Sequence, residues 1–129
     1  MSEAVLDASA LLALLKEEAG AGKVADAIAT SRMTSVNYAE VVSHFIHAGM
    51  PASEVDAMLH PLPMIIVEAD QALATIAGRL RAVTAEAGLS LGDRFCLALA
   101  LRDGLPALTA DRTWRTIADA ASVKVSVIR

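Results

Sequence analysis

Four acidic residues sit where an alternating chain would carry them to one edge of a sheet. They are Asp7 closing the apolar run at residues 4–6, Glu40 within NYAEV, Asp93 within LGDRF and Asp111 within LTADRTW. Carboxylates crowded at one edge repel, so either their pKa values rise or a cation neutralises them. Ligands made only of oxygen select hard divalent ions, magnesium or manganese ahead of zinc, and magnesium commonly keeps several waters that substrate phosphates replace. Such an ion activates water and stabilises the charge of an in-line attack on a phosphodiester. The chemistry these residue types favour is hydrolysis of a nucleic-acid backbone.

Each acid also has a plain structural use. Asp7 and Asp111 fit N-caps of helices beginning at Ala8 and Arg112, accepting a backbone N–H that the helix leaves orphaned. Ser90-Leu91-Gly92-Asp93 has the Ser-x-x-acid form of a capping box, and Glu40, expected in the first turn of its helix, gains from the helix dipole. Coincidence of all four is what favours a site. Arg94, Arg112 and Arg115 flank two of the acids and offer bidentate forks for phosphates, with a solvated helix face as the alternative. His44 and His47, at helical spacing, lack the partners of a zinc site and fit a surface or interface face. Cys96, inside FCLALAL, reads as core filler, and Trp114 reads as packing a C-terminal helix onto the sheet. Gly20-Ala21-Gly22 follows a helix and lacks Gly-Lys-Ser/Thr, so it is no phosphate loop.

The elements that must position these groups follow from the hydrophobic pattern. Strands are predicted at 4–6, 32–35, 64–67, 106–109 and 123–128, the third of buried type. Helices are predicted over 8–18, 23–30, 36–48, from Pro51 to about 60, and over 70–87, 91–102 and 112–120, with Gly20 and Gly22 as breakers. Strands separated by helices imply a parallel sheet between helix layers, an α/β fold. Ligands of such sheets sit beyond the carboxyl ends of the strands, where strand order reverses.

Composition narrows the function classes. A chain of 129 residues with 55% hydrophobic and 20% charged residues points to one self-sufficient domain over 1–129. Aromatics at 3% argue against base-stacking platforms, and a single cysteine excludes an internal disulfide framework and points to a reducing cytoplasm. No apolar run reaches membrane-spanning length, and Glu3 and Asp7 stand where a secretory signal would be basic. The net charge of −4 confines any nucleic-acid affinity to a local basic patch. Positive mean hydropathy points to a homodimer, through the helices between Val36 and His60.

VLDASALLALL, NYAEV, LGDRFCLALA and LTADRTW resemble, in order and spacing, the four acidic motifs of PIN-domain ribonucleases across essentially the whole chain. The pairing of GDRFCLALA with TADRTW is similar to the toxins of VapBC toxin-antitoxin pairs. The resemblance implies a three-layer α/β/α sandwich and an endoribonuclease dependent on Mg2+ or Mn2+, usually dimeric. Asp7, Glu40, Asp93 and Asp111 would serve as metal ligands and water-activating groups, with Ser9 and Thr109 lining or supporting the pocket. It also implies a cognate antitoxin that blocks the acidic pocket and connects the toxin to DNA only indirectly. Two alternatives have their own signals. A receiver-like phosphoacceptor domain would place a lysine after a late strand, where this chain has Thr109 and Asp111, and a non-catalytic interaction module would keep the fold without cleaving RNA.

Asp93 separates structure from chemistry. If it only closes a capping box, Asp93→Asn costs about 0.5–1 kcal/mol and leaves RNA cleavage intact. If it is a metal ligand among repelling acids, the substitution leaves metal-free stability level or higher and lowers cleavage by orders of magnitude. Thermal melts in EDTA and cleavage rates in magnesium decide.

Overall fold

A computed structural model describes residues 3–129. Five parallel strands, β1 (Ala4–Leu6), β2 (Ser31–Thr34), β3 (Ile65–Val67), β4 (Ala107–Thr109) and β5 (Val125–Val127), form one sheet in the order β3-β2-β1-β4-β5. The helices are α1 (Ala8–Leu15), α2 (Ala21–Ala27), α3 (Ser35–His47), α4 (Ala52–Leu59), α5 (Gln71–Arg79), α6 (Arg81–Thr84), α7 (Leu91–Asp103) and α8 (Ala118–Ala121). Short 3-10 turns at Ile28–Thr30 and Arg112–Thr116 complete the chain.

Strand periodicity explains the layers. Successive side chains of a strand face opposite ways. Ala4 and Leu6 enter one apolar cluster with Leu11, Val24, Met33, Val41 and Val55, while Val5 enters another with Leu73, Leu97, Leu99 and Trp114. Both faces of the sheet are therefore covered, which gives the expected α/β/α sandwich. α7 is buried on nearly all sides from Cys96 to Ala100, and each fully buried leucine contributes about 1.5–3 kcal/mol. Among the described residues no helix is long and apolar enough to cross a membrane.

Several expected boundaries shift, for local reasons. α1 stops at Leu15, three residues early, because Glu17 takes a left-handed φ of 54° and the Glu18 N–H returns 2.8 Å to the Ala13 carbonyl. Gly22 breaks nothing and lies inside α2; Gly20 supplies the turn, with φ +92°. The helix expected over 70–87 divides at Leu80, where the Val83 N–H bonds the Leu80 carbonyl at 3.1 Å in a tightened turn. The helix expected over 112–120 is a 3-10 turn followed by the four-residue α8. β3 is an edge strand and not a buried one: Ile65 is 56% exposed and Ile66 39%, since β3 pairs with β2 alone. An apolar run does not reveal whether a strand lies central or outermost.

The two glycines make opposite predictions. A Cβ at Gly20 would stand 2.6 Å from the Ile128 carbonyl oxygen and 2.7 Å from Ile128 Cγ1, at an already strained φ, whereas one at Gly22 meets nothing within 4 Å. Gly20→Ala should destabilise by more than about 1 kcal/mol and Gly22→Ala stabilise by about 0.5–1 kcal/mol, read by chemical denaturation.

Candidate metal and nuclease site

The chain runs from β1 outward to β2 and β3, then returns to place β4 on the other side of β1. Strand order reverses between β1 and β4, the place where α/β sheets bind ligands. Asp7 leaves β1 there and Asp111 follows β4 by two residues.

Asp7 is 4% exposed, and its side chain makes no capping bond to α1. Its Oδ2 instead accepts hydrogen bonds from Ser9 Oγ at 2.7 Å and Thr109 Oγ1 at 3.0 Å. The same hydroxyls accept from the main chain beyond β4, Ser9 Oγ from the Ala110 N–H at 3.0 Å and Thr109 Oγ1 from the Asp111 N–H at 3.1 Å. Ser9 and Thr109 thus clasp the two strand ends around one carboxylate. Burial pushes the Asp7 pKa up to about 7, with repulsion from Asp93 and Glu40 acting the same way and the two hydroxyls opposing.

Glu40 lies in the second turn of α3, not the first as expected, because the helix begins at Ser35 with Thr34 as N-cap. A side chain that the sequence did not single out holds it. Asn37, fully buried, donates from Nδ2 to Glu40 Oε1 at 2.8 Å and to the Gly92 carbonyl at 2.9 Å. The signal available was the i, i+3 spacing of Asn and Glu in NYAE, which places both on one helix face. Burial raises the Glu40 pKa, repulsion from Asp93 adds to this, and the Asn37 bond counters it.

Asp93 closes the expected capping box: its carboxylate accepts from the Ser90 N–H at 2.9 Å, and its own N–H donates to Ser90 Oγ at 3.2 Å. Burial nonetheless raises its pKa, the Asp111 charge adding and the Ser90 bonds and Arg94 opposing. Asp111 is exposed and caps the turn after it, accepting from the Thr113 N–H at 2.9 Å. The structural uses proposed for Asp93 and Asp111 are therefore real, while the one proposed for Asp7 is not.

The four acids form a continuous chain of repulsion, and none of them joins an ion pair among the described residues. As placed, no three His, Cys, Asp or Glu side chains among the described residues are grouped to hold one ion directly. The donor set still fits a hard divalent cation, all oxygen and under mutual repulsion, provided that the ion keeps water ligands, as magnesium usually does.

The arginines divide. Arg94 is buried and not on the solvated face considered for it, with Nε 3.4 Å from the Ser90 carbonyl and its charge felt by Asp93. Arg112 and Arg115 are exposed, and Arg112 Nε donates 2.9 Å to the Arg129 carbonyl. His44 and His47 line, with Val36, Ala39, Glu40 and Ser43, an open groove of about 590 Å³ along α3, and His44 Nε2 is 3.4 Å from Lys16 Nζ. Cys96 is fully buried, and burial drives its thiol pKa well up, so it is inert core. Trp114 is fully buried in the sheet-facing cluster, as packing required.

The PIN domain family model matches residues 4–120. The chain belongs to the PIN-domain family. Among solved structures, the DNA-bound VapBC of Salmonella typhimurium superposes with a TM-score of 0.77 at 15% identity, covering 100% of both chains. A toxin-antitoxin complex from Klebsiella pneumoniae gives 0.73 at 19% identity over 98% of both chains. VapC20 of Mycobacterium tuberculosis, described as a sarcin-ricin loop cleaving toxin, gives 0.72 at 16% identity over 88% of this chain and 94% of its own. These likenesses establish the PIN fold over the whole chain. No curated protein sequence matches significantly.

The Asp7 pKa sets a pH dependence. Between its ordinary value of 3.8 and about 7, the folded chain keeps a proton that the unfolded chain has released. Metal-free stability therefore falls as pH rises through that window, by an amount on the order of 4 kcal/mol for this one group. Melts in EDTA from pH 4 to 8 should show the decline. Asp7→Asn should remove the Asp7 share of it, leaving the smaller decline due to Glu40 and Asp93, and melt above wild type at pH 8.

Proposed function

We propose that this PIN-family protein, as a single domain, is the toxin of a toxin-antitoxin pair and acts as an endoribonuclease dependent on Mg2+ or Mn2+. The observation that carries this reading is the buried Asp7 carboxylate at the strand-order switch. Its hydrogen bonds fall on Oδ2 alone, and it faces the charges of Asp93 and Glu40 with no paired cation among the described residues. Burying an unpaired carboxylate costs several kcal/mol, a cost that folds usually retain only at functional sites.

Asp7, Glu40, Asp93 and Asp111 would hold the ion, which when bound supplies Lewis-acid chemistry and an activated water for phosphodiester hydrolysis. Ser9 and Thr109 fix Asp7 through Oδ2 and leave Oδ1 without a hydroxyl donor. Arg94 puts positive charge beside Asp93, and Arg112 and Arg115, on the exposed turn after Asp111, are suited to flanking RNA phosphates.

The similarity to a toxin-antitoxin complex and to a DNA-bound VapBC supports a cognate antitoxin partner, and contact with DNA only through that partner is part of the proposal. A homodimer through the helices between Val36 and His60 is part of the proposal, with Ile46 of α3 exposed on that segment. The proposed setting is the cytoplasm, where RNA and antitoxin are available.

Purified protein incubated with RNA should cleave it in Mg2+ or Mn2+ and stop in excess EDTA, and Asp7→Asn should lower the rate at least about 100-fold. Cleavage that persists in EDTA overturns the metal dependence. A folded wild type that cuts no RNA with either metal, while still capturing its antitoxin, returns the chain to the interaction-module alternative.

A further inference from the structure

Glu40 owes its place to two residues that are not acidic. Asn37 uses its whole side-chain amide: Oδ1 accepts from Thr34 Oγ1 at 2.6 Å, and Nδ2 donates to Glu40 Oε1 at 2.8 Å and to the Gly92 carbonyl at 2.9 Å. Its orientation is fixed by chemistry, since a flipped amide would turn its oxygen toward a carboxylate and a carbonyl. Thr34 Oγ1 also accepts from the Asn37 N–H at 3.0 Å, so the N-cap of α3 secures the amide at its base.

Gly92 is the second residue of α7 and has no left-handed φ that would call for glycine. Helix propensity alone would favour alanine there. A Cβ at this position would instead stand 2.5 Å from both Cδ and Oε1 of Glu40, and would overlap Oε2 as well. The carboxylate lies flat against the bare Cα, one residue from Asp93.

We propose that Asn37 and Gly92 are positioning residues for Glu40. The Asn37 amide ties Oε1 to the main chain of α7, and the missing side chain at 92 leaves room for the carboxylate to lie beside Asp93. This rests on the reading of Glu40 as a member of the metal-binding edge. The device sets the spacing between α3 and α7 at the site, and with it the separation of two of the four acids. Aspartate at 37 would face Glu40 with like charge, and alanine would leave Oε1 without its donor and remove the tie to the Gly92 carbonyl, which keeps only its place in the helix ladder.

The test uses the full chain, Mn2+ alone as the probe, and melts in EDTA. Asn37→Ala and Gly92→Ala should each weaken Mn2+ binding about 10-fold or more, and lower kcat for RNA with KM less affected. In a Glu40→Ala background, both should change Mn2+ affinity less than about 2-fold, because the group they position is gone. Gly92→Ala should raise the melting temperature in the Glu40→Ala background and do so less, or not at all, in the wild type, a difference that general helix stabilisation does not produce. If Asn37→Ala does not fold, the Gly92 cycle carries the test by itself. The device is overturned if Gly92→Ala raises the melting temperature equally in both backgrounds. It is also overturned if Asn37→Ala and Gly92→Ala bind Mn2+ like wild type while Glu40→Ala loses it. Wild-type Mn2+ affinity and cleavage in Glu40→Ala would sink the metal-edge reading as well.

Discussion

The burial of the Asp7 carboxylate at the end of the central strand is the constraint from which the rest of the site follows. Desolvation dominates its pKa, and the two hydroxyls that oppose it also receive the backbone N–H groups of Ala110 and Asp111. One small cluster therefore satisfies polar atoms on both sides of the β1 and β4 junction. Because the hydroxyl protons go to Asp7 and their lone pairs to the main chain, Ser9 and Thr109 have few substitutes. Removing either hydroxyl would loosen the carboxylate and leave a main-chain donor unpaired.

The second constraint is α7, which carries Asp93 and Gly92 to the site and is packed into the core for most of its length. Its far end is tied through Asp103, whose carboxylate pairs with Arg32 of β2 at 2.8 Å and with the adjacent Arg102 at 2.9 Å. A helix held by aliphatic packing and by an ion pair at its C-terminal end has little freedom to slide, so the position of its first turn is set by residues remote from it. Core packing thus becomes site geometry: Leu97 and Leu99 fix the height of Gly92, and Gly92 fixes where Glu40 lies.

These residues also locate the tension between stability and function. Asp7, Glu40 and Asp93, whose pKa values burial raises and which pair with no cation among the described residues, weaken the metal-free fold as pH rises, while two apolar clusters supply the stability that lets the chain carry them. Asp93 and Asp111 show that the two demands overlap. Each caps a helix or turn and still belongs to the acidic edge, so a capping role is no argument against a chemical one.

Hydrophobic periodicity in the chain itself was enough to determine the α/β alternation and the parallel sheet, and residue type alone picked out the four acids as a candidate site, because strand and helix patterns and residue types are local properties. The Ser90 and Asp93 capping box was equally legible, since its partners lie three residues apart. Tertiary structure alone decided that Asp7 is clasped by Thr109, 102 residues away, and caps nothing. It likewise decided that Ile65 and Ile66 lie on an exposed edge, and that an ordinary helical glycine at 92 makes room for Glu40. Those outcomes depend on strand order and on the approach of α3 to α7, which arise when separated segments compete to bury apolar surface, and no spacing along the chain encodes which of them will meet.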